Sequence, residues 1–202
     1  MSGRKDPTPP NSDSRDKQPT NAATQPCPEQ KLLDKVKECD GGLNILEKAK
    51  QANGGKEVNV VIKDNDFGGK ASFSTGSVIV RKSDPPCTQI ETVLFEMGNW
   101  HRQEDFKKVS QAAANGDLSR EDFIRGYEKL EYDNVQDTIK ATEKCKEKWG
   151  CKNHTFDFDG MKSAKNFDDY YKNYLSKNHK EYYGKAWDRE HKAAYDKKHP
   201  TK

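Results

Sequence analysis

Apolar residues concentrate between about residues 30 and 150, and their spacing predicts a helical start to this region. The first of them recur about one helical turn apart, and the spacing resumes beyond Gly41 and Gly42; they are Leu32, Leu33, Val36, Cys39, Leu43, Leu46 and Ala49. Because glycine weakens a helix interior, the pattern predicts either two short helices or one helix broken at the glycines.

Two runs of β-branched residues follow, at residues 57–63 and 77–81. Short runs of this composition are typical of strands. Turn-forming residues and a third candidate strand lie between them, within residues 64–73. The sequence therefore predicts a small antiparallel sheet.

A helix is predicted after the proline pair at residues 85–86, because apolar residues recur at helical spacing from Ile90 onward. Thr88 and Glu91 match a capping box, in which a hydroxyl and a carboxylate satisfy free amides at a helix start. The helical pattern continues to Ala114. One long helix is the prediction.

A second long helix is predicted over residues 119–147, with Ser119 as its N-cap. Its inward stripe contains Phe123, Tyr127 and Glu131, and Glu128 lies at the edge of that stripe. A carboxylate on the apolar face of a helix is a candidate functional group, because burial of an unpaired charge is costly.

The two ends of the chain differ from this middle region. Residues 1–28 are rich in proline and small polar residues, which predicts a disordered leader. Residues 151–202 are charged and aromatic, which predicts a helical C-terminal region. The predicted fold is α+β: a small antiparallel sheet packed on two long helices, within a core of residues 29–150.

Composition narrows the possible functions only slightly. Hydrophobic residues make up 31% of the chain and charged residues 34%, and the net charge is +3 with both signs interleaved. Nucleic-acid binding is therefore not favoured. The sequence has no run of about 18 apolar residues and no signal-peptide pattern, so we expect a soluble protein made in the cytoplasm, without membrane insertion.

Five cysteines in a chain without a signal pattern favour free thiols over a disulfide framework. Cys145 and Cys151 are close enough in sequence to form a small loop, which is the alternative. The histidines lack metal-ligand spacing and are expected to be solvated side chains; they are His101, His154, His179, His191 and His199.

The segment Leu94-Phe95-Glu96-Met97-Gly98-Asn99 resembles the active-site helix of zincin-like metallopeptidases, with both metal-binding histidines replaced. The resemblance covers about residues 57–140 and implies a zinc-peptidase architecture. Phe95 and Asn99 stand at the two ligand positions, Glu96 at the general-base position, and Glu131 or Glu128 at the third-ligand position. Because phenylalanine cannot bind metal, we expect no metal ion and no cofactor.

Three interpretations of Glu96 and Asn99 remain open. They are ordinary helix residues in a chance match, or remnants on a noncatalytic zincin-like scaffold that now binds a partner. In the third, Glu96 and Glu131 form an unusual metal site or a metal-independent acid–base site with His101 or His154.

The hydrophilic composition and degenerate hydrolase-like motif resemble secreted bacterial effectors, including cargo of type VI secretion systems. This implies a virulence protein, secreted without a classical signal peptide, that binds a target or host protein and contacts the secretion machinery. The binding residues would be Asn99, His101, Glu128 and Glu131. The alternatives are a hydrolase with Glu96 as its catalytic base, and nucleic-acid binding through Lys and Tyr residues of 166–202.

Overall fold

A computed structural model describes residues 26–65, 69–73, 75–155, 158 and 160–200 of the chain. Its elements are, in chain order, α1 (Pro28–Lys37), α2 (Asp40–Ala52), β1 (Asn59–Lys63), β2 (Gly69–Ser72), β3 (Ser77–Arg81), α3 (Pro86–His101), α4 (Gln103–Ala114), α5 (Arg120–Thr142), α6 (Phe167–Asn173), α7 (Lys177–Glu190) and α8 (Lys192–Lys198). The α+β class is confirmed. The predicted leader lies outside the described residues, except for residues 26–28.

The sheet has three strands in the described part of the chain, in the order β1-β3-β2. β1 is parallel to β3, with Val60 opposite Val78. β2 is antiparallel to β3, with Ala71 opposite Val78. The sheet is therefore mixed, and the prediction of a purely antiparallel sheet was wrong because β1 and β3 are parallel neighbours.

The main core lies between this sheet, α2 and α3. It contains Val78 and Val80 from β3 and Val93 and Leu94 from α3, all fully buried.

α1 and α2 confirm the prediction of two helices, but the break falls at residues 38–39, before the glycines. Gly41 lies inside α2, where a Cβ would come within 1.9 Å of the Ala141 carbonyl oxygen, so glycine here permits close packing of α2 on the end of α5.

The long helix predicted before Ala114 is two helices, because the chain turns at Arg102 between α3 and α4. The predicted capping box was also wrong. α3 begins at Pro86 without a side-chain cap, since proline is favourable in a first turn where its missing N–H costs nothing. Ser119 does cap α5, accepting a hydrogen bond from the Asp122 amide at 3.1 Å, but α5 ends at Thr142 and not at residue 147.

Two disulfides join Cys39 to Cys145 and Cys87 to Cys151. The expectation of free thiols was therefore wrong for these four residues, and so was the alternative bridge between Cys145 and Cys151. The turn after α5 places Cys145 beside the start of α2 and Cys151 beside the start of α3. Cys27 is an exposed free thiol.

The C-terminal region forms α6, α7 and α8, which contact α5 and α4. Tyr170, Tyr183 and Trp187 are buried by this packing, whereas Tyr182 is 62% exposed. These helices form one wall of the site described below. Within the described residues, the structure contains no helix with the length and apolar character needed to cross a membrane.

Candidate functional site

A cavity of about 1320 Å³ lies between β2, α3, α4, α5 and α7. Aromatic side chains form much of its wall: Phe73, Phe95, Phe106, Tyr127, Phe158, Tyr182 and Tyr183. Its polar lining includes Glu96, Asn99, Glu131 and His179. A largely apolar cavity with a few convergent polar groups is the usual form of a ligand or substrate site.

Glu96 lies on α3, where the helix faces the edge strand β2. Its side chain borders the cavity although the residue is only 7% exposed. The Ala71 backbone amide of β2 donates a hydrogen bond to Oε2 at 2.8 Å. A Cβ at Gly69 would lie 2.2 Å from Thr92 Cγ2 and 3.3 Å from Glu96 Oε1, so glycine at this position allows β2 to approach α3 closely.

The pKa of Glu96 is raised to about 7, and burial is the largest cause. The negative charge of Glu131 contributes to the increase, whereas hydrogen bonds from the Ala71 amide and Asn99 and the positive charge of Lys70 partly offset it. A carboxyl group with this pKa exists in both protonation states near neutral pH, which suits proton transfer.

Asn99 is part of a buried amide network between α3 and α5. The Asn134 side-chain nitrogen donates to Asn99 Oδ1 at 2.8 Å and to the Phe95 carbonyl oxygen at 2.7 Å. A Cβ at Gly98 would lie 1.8 Å from Asn134 Oδ1, so the network requires glycine there. This geometry does not fit the zinc that the metallopeptidase resemblance implies, because Phe95 has no donor atom and the Asn99 oxygen is hydrogen-bonded.

Two carboxylates project inward from α5, three residues apart. Glu128 is fully buried and Glu131 is 7% exposed. Each has one oxygen held by a tyrosine hydroxyl of the C-terminal helices: Tyr170 donates to Glu128 Oε2 at 3.0 Å, and Tyr183 donates to Glu131 Oε1 at 2.5 Å. Burial and the charge of Glu131 raise the pKa of Tyr183 well above its ordinary value, so its hydroxyl remains a donor.

His179, near the start of α7, lies beside the other oxygens of both carboxylates. Its Nδ1 is 2.8 Å from Glu128 Oε1, and its Nε2 is 3.5 Å from Glu131 Oε2. We call Glu128, Glu131 and His179 the histidine–carboxylate cluster; one ligand atom from each lies within 4.8 Å of the others. The expectation that His179 is merely solvated was wrong. This proximity could not be predicted from the sequence, because about 50 residues separate His179 from Glu131.

The structure thus brings Glu96, Asn99 and Glu131 to one cavity, with Glu128 directly behind its wall. His101 is exposed at the last turn of α3 and is not part of the cavity lining. His154 lies 2.9 Å from Glu91 and also lies outside the cavity lining.

The remaining histidines are not simply solvated either. His191 is buried against Phe123 and borders the cavity. His199 Nε2 lies 3.1 Å from the Gly116 carbonyl oxygen.

Comparison with protein-family models, with curated proteins and with solved structures finds no match to this chain. The geometry of the cavity is therefore the basis for inferring a function.

Proposed function

We propose that this chain is a hydrolase, with the cavity as its active site and Glu96 as its general base. The main support for this proposal is the position of Glu96, a buried carboxyl group that borders a large aromatic-lined cavity. Acid–base residues of enzymes combine this partial isolation from water with access to a substrate.

In the proposed reaction, the ionised Glu96 accepts a proton from a water molecule in the cavity, and the resulting hydroxide attacks the carbonyl carbon of the substrate. Protonated Glu96 then returns the proton to the leaving group as its bond to that carbon breaks. The Ala71 amide fixes the orientation of the carboxylate. The pKa of about 7 supports this role, because a base is most effective when its pKa is close to the working pH.

The substrate class we propose is a peptide or protein segment. β2 is an edge strand of the sheet, and Gly69, Lys70 and Ala71 border the cavity. An edge strand can add an extended peptide by backbone pairing, while pockets beside it accept alternate side chains. The aromatic wall of the cavity would accept apolar side chains of such a segment.

A noncatalytic effector that binds a target or host protein through the same cavity is the second candidate. It is favoured by the amide network of Asn99 and Asn134, which occupies the position where a zinc ligand would stand. On this alternative the scaffold is zincin-like and its cavity serves recognition alone.

Nucleic-acid binding through residues 166–202 is less favoured, because Tyr170, Tyr183 and Trp187 pack inside the molecule and are not available for base stacking.

For either candidate, we propose that the protein is secreted without a classical signal peptide and acts as a bacterial effector. The two disulfides support this location, because disulfides form and persist mainly in oxidising compartments outside the cytosol. Export by a type VI secretion system is the route we favour among those that do not require a classical signal.

Cleavage of a peptide library tests the hydrolase proposal. We expect the protein to generate new termini in a proteome-derived peptide mixture, measured by mass spectrometry, and Glu96→Gln to lose at least 100-fold of this activity, which is the lower range for a general base. Glu91→Gln is the matched control, because Glu91 also lies on α3 and borders the cavity. Absence of cleavage, or equal cleavage by Glu96→Gln, would contradict the proposal and favour the binding candidate.

A further inference from the structure

We propose that the histidine–carboxylate cluster is a binding site for one Zn²⁺ ion, with Glu128, Glu131 and His179 as its three protein ligands. This inference goes beyond the proposed hydrolase function and does not depend on it. The site also differs from the zinc position that the motif helix would provide, because none of its ligands lies on α3.

The donor set is appropriate for zinc. Zn²⁺ accepts imidazole nitrogen and carboxylate oxygen, and a catalytic zinc commonly has three protein ligands and one open position. Glu131 and His179 border the cavity, so the fourth position of the ion would face it. Ca²⁺ and Mg²⁺ prefer oxygen ligands alone and more of them, so the imidazole disfavours both.

Hydrogen bonds orient the two carboxylates in the way that is typical of metal ligands. Tyr170 and Tyr183 each hold one carboxylate oxygen through a hydroxyl hydrogen bond, which leaves Glu128 Oε1 and Glu131 Oε2 toward the imidazole. Metal ligands are typically oriented by such outer hydrogen bonds. The two carboxylates, the two tyrosines and the imidazole come from α5, α6 and α7, so their convergence is a property of the fold.

Glu128 Oε1 provides an independent observation. This atom is buried and accepts no hydrogen bond from any residue that the structure describes, although His179 Nδ1 is only 2.8 Å away. Since that distance is short enough for a hydrogen bond, its direction must be unsuitable. Two ligands of one ion also approach each other off axis, because each points at the ion. For tetrahedral zinc with bonds near 2.0 Å they lie about 3.3 Å apart, so these two atoms would separate by about 0.5 Å on binding.

Charge favours a cation at this position. Glu128 and Glu131 are two buried carboxylates beside one imidazole, and buried carboxylates are commonly paired or coordinate a metal ion. A divalent ion would neutralise both carboxylates. Its binding would displace any proton from the coordinating nitrogen of His179, so zinc affinity should fall as the pH is lowered.

Zinc titration of the full-length, chelator-treated protein tests the site. We expect calorimetry to show saturable binding of one Zn²⁺ per chain, and His179→Ala to remove it. His154→Ala is the matched control, because His154 also contacts a glutamate, Glu91, at 2.9 Å but lies outside the cluster. Circular dichroism would establish that each variant is folded.

Variants that remain able to fold distinguish the loss of a zinc ligand from general damage to the structure. Tyr183→Phe retains all three ligands and removes one orienting hydroxyl, so we expect zinc affinity to fall about 10-fold or more. Co²⁺ bound in place of zinc should give visible absorption bands that change in Glu131→Gln. Absence of saturable Zn²⁺ binding to the unmodified protein, or equal binding by His179→Ala and His154→Ala, would overturn the proposal.

Discussion

Glu96 lies in an environment unlike that of an ordinary surface carboxylate, because it is buried between α3 and β2. Its position on the motif helix and its candidacy as a base could be predicted from the sequence, because the surrounding residues resemble a metallopeptidase helix. Its burial beside β2 could not, since burial depends on the close approach of a strand about 25 residues earlier in the chain. Desolvation by this burial raises the pKa of Glu96, whereas the hydrogen bond from the Ala71 amide of β2 lowers it.

The pKa of Glu96 has a consequence for stability. Its value of about 7 in the folded protein exceeds the ordinary value of 4.5, so the folded state binds the proton more tightly than the unfolded state. The free energy of unfolding should therefore decrease as the pH rises from about 4.5 to 7, by about 3 kcal/mol in total at 1.36 kcal/mol per pKa unit. Glu131 and Lys70 are the charged groups that contribute to this shift.

Glu96→Gln should remove this pH dependence, because glutamine does not ionise. We expect the variant to gain stability relative to the unmodified protein between pH 5 and pH 8, measured by urea denaturation of chelator-treated samples. A difference between the two proteins that stays constant over this range would contradict the burial of an ionisable Glu96.

At the scale of elements, apolar periodicity predicted most helices and two of the strands, because those patterns follow from which face each element buries. It did not predict the turn at Arg102, where the apolar pattern of α3 runs on into α4. The prediction of a purely antiparallel sheet also failed, because β1 pairs in parallel with β3 and strand order depends on long-range contacts. The contact between α3 and α5, which positions Asn99, depends on Gly98.

Gly98→Ala should separate α3 from α5. The added Cβ would lie 1.8 Å from Asn134 Oδ1, and relief of this overlap would disrupt the hydrogen bonds from Asn134 to Asn99 and Phe95. We expect a loss of about 1–3 kcal/mol in the free energy of unfolding, as for other overpacked cores.

Gly126→Ala is the control for this change. Gly126 lies within α5, and the atom nearest to a Cβ added there would be a Val109 methyl carbon at 3.1 Å. That side chain can shift, so the control should be close to neutral. Similar losses for both variants would show that glycine is not specifically required at the α3–α5 contact.

At the scale of the whole molecule, the disulfides join segments that are distant in sequence. Cys39 and Cys145 are 106 residues apart, and Cys87 and Cys151 are 64 apart. Sequence spacing could not reveal these pairs, because the packing of α5 and the following turn on the core brings the paired cysteines together. His179 was missed for the same reason, because the packing of α7 on α5 places the His179 imidazole beside the carboxylates.

The pair Cys39→Ala and Cys145→Ala should lower the free energy of unfolding by about 2–5 kcal/mol, since the long loop closed by this disulfide restricts the unfolded chain. Denaturant titration under oxidising conditions would measure the loss. Cys27→Ala should have no comparable effect, because Cys27 is an exposed free thiol. Equal stability of the double variant and the unmodified protein would contradict formation of this disulfide.

The most direct test of the central claim is the pH dependence of peptide cleavage by the unmodified protein and by Glu96→Gln. We expect the rate for the unmodified protein to rise as Glu96 loses its proton at a pH of about 7, and the rate for Glu96→Gln to remain low throughout. Equal rates for the two proteins across the pH range would contradict the role of Glu96 as the general base of this cavity.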